Sequence, residues 1–464
     1  MYKTTVYAAI ALVLAGMASP SHGEDLLQIY HEARQADPTL AIADANKGAA
    51  NAGVGIARAP LLPQLGASLN YNHSDSSNSS VSAQRDGSGN YLLVPITSTS
   101  RSRSRSAQAQ LSQTLFNWAD FERLRGAGAN AKSADSNYDA ALQDLIVRTA
   151  TAYFNVLTAQ DQLIFAKGNE KALARQLDQA EQRYKVGLSA ITDVHESRAN
   201  HDSAIAQVIT AQNAVDMARE SVVQITGKEF GELKVLRDTL PLEQPQPPNI
   251  QQWVDMAVKN SPVLASSEHS LDAADYNVST QRAGHLPTLS ASLVRTDSPS
   301  WGSQSSNFGE TSSLSIPGNG LRGDTTFGVV LSVPLFSGGA TWAQTHQAVF
   351  QRDAARDQVS LTRRQVIANT RNAYRSVIAG ISEVEATKQA VISAQSSLDA
   401  TQAGFEVGTR TIVEVLTVQE QLFQAQSTYS QARHQFVLNG LQLKAAAGVA
   451  SIDDMKAINA LLVD

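Results

Sequence analysis

The sequence predicts a membrane β-barrel shared between several chains and joined to an all-α body of very long helices. Three observations lead there: a tandem repeat, four amphipathic strands, and two helical stretches far beyond globular length. Leu62-Pro63-Gln64-Leu65 returns as Leu286-Pro287-Thr288-Leu289, an offset of 224, and Val186-Gly187 returns as Val407-Gly408, an offset of 221. Ala152-Tyr153 and Ala373-Tyr374 keep the second offset. A nearly constant offset over that span marks one structural unit used twice.

Lys3, the apolar stretch from Val6 to Gly16 and the small-residue exit at Ser21-His22-Gly23 read as a secretory signal peptide over residues 1–23. That stretch is too short to span a bilayer, and no later segment reaches the roughly 18 to 20 apolar residues of a transmembrane helix. A mature chain of this kind meets a membrane through strands or at its surface. The net charge of -6 becomes more negative once Lys3 is removed, which argues against nucleic acid. Cysteine is absent, which leaves no disulfide frame, thiolate metal site or acylated anchor. The nine histidines are scattered without HExxH spacing, so neither metal nor cofactor is expected. With no GxSxG and no phosphate-binding glycine loop, enzyme readings are weak.

Each element follows from its pattern. The first repeat spans 24–235 and the second 250–455, with a linker at 236–249 and a tail at 456–464. Helical spacing of apolar residues runs from Asp25 to Ala59 and from Ile250 to Gly284, and each run stops at a proline, Pro60 or Pro287. Alternation then takes over. Leu65, Ala67, Leu69 and Tyr71 face one way and Gly66, Ser68, Asn70 and Asn72 the other, as a strand with one apolar and one polar face requires. Strands are expected at about 61–75, 105–116, 286–296 and 325–336, joined by polar loops from Ser74 to Ser106 and from Ser298 to Asp324. A polar inner and apolar outer face is the pattern of a transmembrane barrel wall.

Long helices follow at 119–185 and 341–406, then helices at 192–226 and 413–447. At about 1.5 Å per residue the long ones reach about 100 Å, and each flanking helix about 53 Å, so two flanking helices end to end match one long helix. Their alanine-rich seams suit coiled-coil packing. The element order places the two polar loops at one end and the two Val-Gly turns at the other. Four strands cannot close a barrel, since the smallest have about eight, so several chains must share one.

This arrangement resembles the TolC-like outer-membrane efflux protein family. The resemblance rests on the proline-marked helix-to-strand junctions, the paired strand motifs, and the turns Arg183-Tyr184-Lys185-Val186-Gly187-Leu188-Ser189-Ala190-Ile191-Thr192-Asp193-Val194 and Phe405-Glu406-Val407-Gly408-Thr409-Arg410-Thr411-Ile412-Val413-Glu414-Val415. It implies a homotrimer with a 12-stranded barrel in the outer membrane and a 12-helix tunnel in the periplasm. It also implies a passive exit duct, with an inner-membrane pump supplying the energy and a periplasmic adaptor (membrane fusion) protein coupling the two. Cargo would be small toxic compounds or secreted polypeptides, and nothing in the bore separates these. An extracellular helical filament or adhesin is the rival, and it leaves the four amphipathic strands unexplained.

The resemblance assigns roles. Gly187, Leu188, Gly408 and Thr409 form turns that dock the adaptor, while the two glycines also read as ordinary left-handed helix caps. Thr192, Asp193, Phe405 and Arg410 form a latch closing the tunnel mouth, for which the plain alternative is an exposed ion pair worth about 0 to 1 kcal/mol. Phe405 stands where the family pattern has tyrosine, which removes one hydroxyl link. Glu414 supplies a constriction ring, and Thr417 replaces the usual second acid. Phe116, Trp118, Phe336 and Trp342 suit a membrane interface in contact with outer-membrane lipids, or simple packing. Arg101, Arg103 and Arg105 share the parity of Ala107 and Ala109, so they project outward at the height of lipid phosphates if the strand continues, and lie in a solvated loop if it does not.

Overall fold

The computed structural model describes residues 24–308 and 312–463. The signal peptide expected at 1–23, residues 309–311 of the expected second polar loop, and Asp464 of the expected tail lie outside the described residues. In chain order the first repeat runs α1 (Leu26–Ala36), α2 (Pro38–Arg58), a 3-10 turn, β1 (Gln64–Arg85), β2 (Tyr91–Phe116), α3 (Trp118–Lys185) and α4 (Ile191–Thr226). After β3 (Val235–Leu236) come α5 (Ile250–Asn260), α6 (Pro262–Arg282), a second 3-10 turn, β4 (Thr288–Asp297), β5 (Ser300–Phe308), β6 (Ser312–Pro317), β7 (Gly323–Ser332), α7 (Ala340–Glu406) and α8 (Ile412–Ala446). The chain closes with α9 (Ile452–Asn459) and β8 (Leu462–Val463). Among the described residues no helix is long and apolar enough to cross a membrane. Two compact units emerge, one made of the chain up to Gly48, Lys132–Glu268 and Asp357 onward, the other of Ala49–Ala131 and His269–Arg356.

The single helices expected at 25–59 and 250–284 are each broken. Pro38 has no N–H to donate and pushes the residue before it out of the helical region, so Asp37 sits extended with ψ 117°. Asp37 closes α1 through its backbone N–H to Ala33 and opens α2 by accepting from the Leu40 N–H at 2.9 Å. Ser261-Pro262 repeats the break, with Ser261 Oγ accepting from the Leu264 N–H at 3.4 Å. Only the first repeat adds charge. The Arg148 guanidinium grips the Asp37 carboxylate at 3.2 and 2.8 Å, and that side chain is only 3% exposed. Burial raises the Asp37 pKa, but the Arg148 hydrogen bond and the Leu40 and Thr39 amides outweigh it and hold the carboxyl below its ordinary range.

The main core of this unit surrounds the middle of α3. Leu145, Tyr153, Phe154 and Leu157 pack with Leu26 and Ile29 of α1, Val222 of α4, Leu438 and Leu441 of α8, and Met455 of α9. Tyr153 is fully buried, and its hydroxyl donates to the Lys234 carbonyl at 2.8 Å, so the polar tip is satisfied. His434 is also buried, with Nδ1 2.8 Å from Thr158 Oγ1, and burial, assisted by Arg433, pushes its imidazole down to about 4. Segments expected as linker and tail join this core: Leu236, Ile458 and Leu462 are buried, and β3 pairs antiparallel with β8 through Val235↔Val463 and Leu236↔Leu462. These apolar side chains remove surface from water, and that outweighs the ordering of a short terminal segment.

The second unit holds an antiparallel sheet. β1 pairs β2 from Gln64↔Ser112 to Arg85↔Tyr91, the near part of β2 pairs β4, and β4 pairs β7, giving the order β1-β2-β4-β7. The far part of β2 pairs β5, and β5 pairs β6. The polar loops expected at 74–106 and 298–324 are therefore largely strand. A strand draws its hydrogen bonds from its neighbour and needs no core, and Val81, Ile96, Thr97 and Thr99 are β-branched residues suited to it. The reversal is made by Asp86, whose carboxylate accepts from the Ser88 and Asn90 N–H groups at 2.9 and 2.8 Å. β7 ends before Pro334, so Val333 and Leu335, expected within a strand, lie beyond it.

Register separates the faces as the alternation requires. Leu65, Ala67 and Leu69 of β1 stand opposite Leu111, Ala109 and Ala107 of β2, and Leu293 of β4 stands between Leu111 and Phe327 of β7. The other face carries Gln64, Ser68 and Asn70 opposite Ser112, Gln108 and Ser106. Neither face is covered by the chain's own residues: Leu65, Leu69 and Phe327 are 78%, 71% and 71% exposed. The free edges of β1 and β7 have no strand partner among the described residues.

Candidate functional site

The two helix-to-helix turns of the first unit are built alike. At the end of α3 the Leu188 N–H reaches back to the Arg183 carbonyl at 2.8 Å and the Gly187 N–H to Tyr184 at 2.9 Å. At the end of α7 the Thr409 N–H bonds to Gly404 at 2.8 Å and the Gly408 N–H to Phe405 at 3.1 Å. This paired pattern is a Schellman closure, and it needs a left-handed residue, supplied by Gly187 at φ +75° and Gly408 at φ +82°. A Cβ at either glycine would meet nothing within 4 Å, so only the backbone angle and the outer surface constrain these positions. Around them Val186, Leu188 and Val407 are 69%, 71% and 76% exposed, an apolar tip that suits a partner surface better than water.

Beyond the turns the repeats diverge. α8 starts with Thr411, whose side chain accepts from the Glu414 N–H at 3.3 Å and donates to Glu414 Oε1 at 3.2 Å, while Arg410 bonds the other oxygen at 2.9 Å. The Arg410 hydrogen bond leads in holding the Glu414 carboxyl below its usual value, opposed by desolvation and assisted by Thr411. α4 has Ala190 as its N-cap, with no side-chain cap, and Ser189 Oγ instead donates to Asp193 Oδ2 at 2.5 Å. Within the chain Asp193 and Arg410 are not bonded to each other: each has a partner within four residues, Ser189 and Glu414 respectively. Thr192 is exposed, and Thr417 Oγ1 donates back to the Val413 carbonyl at 2.9 Å. Thr409 Oγ1 donates to the Gly404 carbonyl at 3.0 Å, which ties its own turn.

Phe405 links the two turns by a route that sequence reasoning missed. Its ring packs against two small cores, Leu173, Ala204, Ile412 and Leu416 on one side and Leu398, Val415, Val418 and Leu422 on the other. The Arg183 guanidinium lies 4.9 Å from the ring centroid, a cation–π contact between the end of α3 and the end of α7. Phe405 therefore bridges the turns through its ring, with no hydroxyl involved. Arg183 was visible as a basic residue in the last turn of a helix, the place where a cation is stabilised.

The aromatics singled out from the sequence sit at strand-to-helix junctions of the second unit and are all exposed, Phe336 most at 89%. Trp118 stacks near Phe121 at 6.4 Å with Arg125 over its ring at 5.7 Å, and Trp342 lies 4.1 Å from the His346 ring. Phe116 follows a register shift between Thr114 and Phe116, so it pairs with Leu289 out of step with the ladder below.

A duplicated chain of very long helices, with a sheet apolar on one face and polar on the other, defines an outer-membrane channel of the efflux type. The family description "Outer membrane efflux protein" matches residues 29–228 and 253–449, one match per repeat, and the chain belongs to that family. It is 36% identical to outer membrane protein TolC of Escherichia coli (strain K12) over 451 residues, which is 97% of this chain and 87% of that protein. It is 29% identical over 357 residues to the alkaline protease secretion protein AprF of Pseudomonas aeruginosa, covering 76% of this chain and 71% of AprF. The crystal structure of VceC from Vibrio cholerae matches in fold with a TM-score of 0.71 at 19% identity, covering 91% of this chain and 96% of VceC. The chain is an exit duct located in the outer membrane with a large periplasmic portion, and its relatives are channels and transport proteins rather than enzymes. Nothing in these comparisons supports a filament or adhesin.

Proposed function

We propose that three copies join their four-stranded sheets into a 12-stranded barrel and their helices into a 12-helix periplasmic tunnel. The observation that carries this is the β1-β2-β4-β7 sheet, bare on both faces and open at both edges. Inside a bilayer every backbone group needs a partner, so open edges must be closed by other copies. The polar face lines a water-filled bore and the apolar face meets lipid, with Phe116, Trp118, Phe336 and Trp342 as interface aromatics. The duct is passive: an inner-membrane pump drives small toxic compounds, or secreted polypeptides, through a periplasmic adaptor into it. The name of AprF supports the protein cargo. In outer-membrane extracts the chain is expected to migrate as a trimer that collapses to monomer on boiling. Recovery of unboiled monomer alone would reject the shared barrel.

The apolar tips around Gly187, Leu188, Gly408 and Thr409 are the docking surface for the adaptor. Latch and ring share one guanidinium: Arg410 serves Glu414 in the isolated chain and is the group placed to reach Asp193 or Thr192 of a facing turn, with Phe405 fixing the spacing. With Thr417 in place of a second acid, Glu414 forms a single ring of three carboxylates. Arg410→Ser is expected to raise single-channel conductance in planar bilayers. It also removes the main group depressing Glu414, so on acidification block by a trivalent cation fades at a higher pH than in the wild type. Thr417→Asp should tighten that block at neutral pH by about tenfold. An unchanged pH profile in Arg410→Ser would separate Glu414 from the constriction.

A further inference from the structure

We infer that the outward face of β2 carries a docking site for a phosphorylated lipid of the outer leaflet, held by Arg103 and Arg105 beside the paired rings of Tyr71 and Trp301. Strand register makes the ladder. Arg101, Arg103 and Arg105 stand on the face of Ala107, Ala109 and Leu111, opposite Asp75, His73 and Tyr71 of β1, and Arg101 and Arg103 stand opposite Ser303 and Trp301 of β5. Residues two apart on a strand lie about 6.6 Å apart, so the guanidinium groups form an upright row.

Charge pairing leaves two of them unspent. Arg101 lies 3.9 Å from Asp75, and Arg295 bonds Asp297 at 2.9 Å on the same face. Arg103 and Arg105 are exposed, and no side-chain hydrogen bond or ion pair holds either among the described residues. His73 lies 3.5 Å from Asp75, which gives that carboxylate two claimants and leaves no acid facing Arg103 or Arg105. The Tyr71 and Trp301 rings approach to 6.4 Å across β2, beside these two arginines.

Height selects the occupant. A strand crosses the hydrocarbon in about 9 to 11 residues, and β1 counted from Gln64 reaches that length near His73, which faces Arg103. Tyr71 and Trp301 therefore stand where interfacial aromatics collect, and Arg103 and Arg105 at the level of headgroups. The helices join the sheet at the opposite end of β1 and β2, and the hairpin reversal at Asp86 points away from them, so this rim faces the outer leaflet. Below the arginines the β1 and β2 part of this face is apolar, with Leu65, Leu69 and Leu111 for acyl chains, and the one charged pair beside it on β4, Arg295 with Asp297, is self-satisfied. Two unpaired guanidinium forks above an apolar wall fit a phosphate group borne on a lipid, since arginine binds phosphate through paired N–H groups.

The site rests on the membrane reading of the sheet, and the test keeps the two apart. Wild-type trimer and the Arg103→Gln/Arg105→Gln double variant are purified, and binding of fluorescent lipid A is measured in micelles against dephosphorylated lipid A and inorganic phosphate. The wild type is expected to bind the phosphorylated lipid about 30-fold more tightly than the variant, and dephosphorylated lipid equally weakly in both. An Arg103→Lys/Arg105→Lys variant, which keeps the charge and loses the paired N–H geometry, should bind between the two. Equal binding by wild type and glutamine variant overturns the site, as does displacement of the lipid by millimolar inorganic phosphate. Wild-type chain missing from the outer-membrane fraction would instead refute the membrane reading.

Discussion

Valine in place of Gly187 or Gly408 is expected to abolish export while the proposed trimer still reaches the outer membrane. Both glycines hold left-handed backbone angles that a β-branched residue adopts only at a cost of about 1 to 3 kcal/mol. No atom of the chain would clash with the new side chain, so the fold survives and the damage is confined to the tip. Drug sensitivity at the level of a deletion strain, with a normal heat-sensitive trimer band, is the expected pair of results. Asparagine separates the two roles of these residues, because it tolerates the left-handed region. Gly408→Asn should keep the closure yet place a polar side chain on the apolar surface beside Val407, and export should again fall. Normal export by Gly408→Asn would reduce both glycines to caps.

Loss of Arg148 is expected to destabilise the chain by about 3 to 5 kcal/mol, the cost of stranding a buried carboxylate. Asp37 is 3% exposed and keeps only the Leu40 and Thr39 amides as partners once the guanidinium is gone. Since the pair holds Asp37 below its ordinary range, its contribution is complete above the ordinary aspartate pKa and is lost as pH falls through the depressed value. In Arg148→Met the carboxyl can protonate instead, so the gap between variant and wild type should narrow on acidification. Asp37→Asn/Arg148→Met keeps an acceptor for the α2 amides without a charge and should recover most of the loss. Thermal unfolding followed by circular dichroism at two pH values measures all three. Equal melting of Arg148→Met and wild type near neutral pH would show the pair to be idle.

Much of this architecture was legible because helix ends and amphipathic strands leave strong marks. Val186-Gly187 and Val407-Gly408 announce left-handed closures, and the alternation from Gln64 to Tyr71 fixes both faces of β1. The far part of the β1–β2 ribbon was not legible. It is solvated on both faces, so its side chains carry no apolar period, and only the Asp86-Gly87-Ser88-Gly89-Asn90 reversal betrays it. The breaks at Asp37-Pro38 and Ser261-Pro262 were written in the sequence as an N-cap followed by proline, but apolar spacing continued across them and hid the signal. At the second turn Arg410 pairs with Glu414, where the sequence suggested Asp193. The choice of Glu414 depends on the Thr411 cap holding that carboxylate in place, a local geometry that residue spacing leaves open.

The two bare edges of the sheet also bear on how such a duct comes into being. β1 presents an open edge of 22 residues and β7 one of only 10, so in the proposed trimer a neighbour's β7 docked on β1 leaves the far portion of β1 over. A lone chain has no resting state in hydrocarbon, where each unpaired amide costs several kcal/mol, and in water its edges are templates for uncontrolled strand addition. In the proposed trimer each edge finds its partner only on a neighbouring copy, so insertion and assembly are expected to be coupled. The proposed barrel would then enter the bilayer as one assembly.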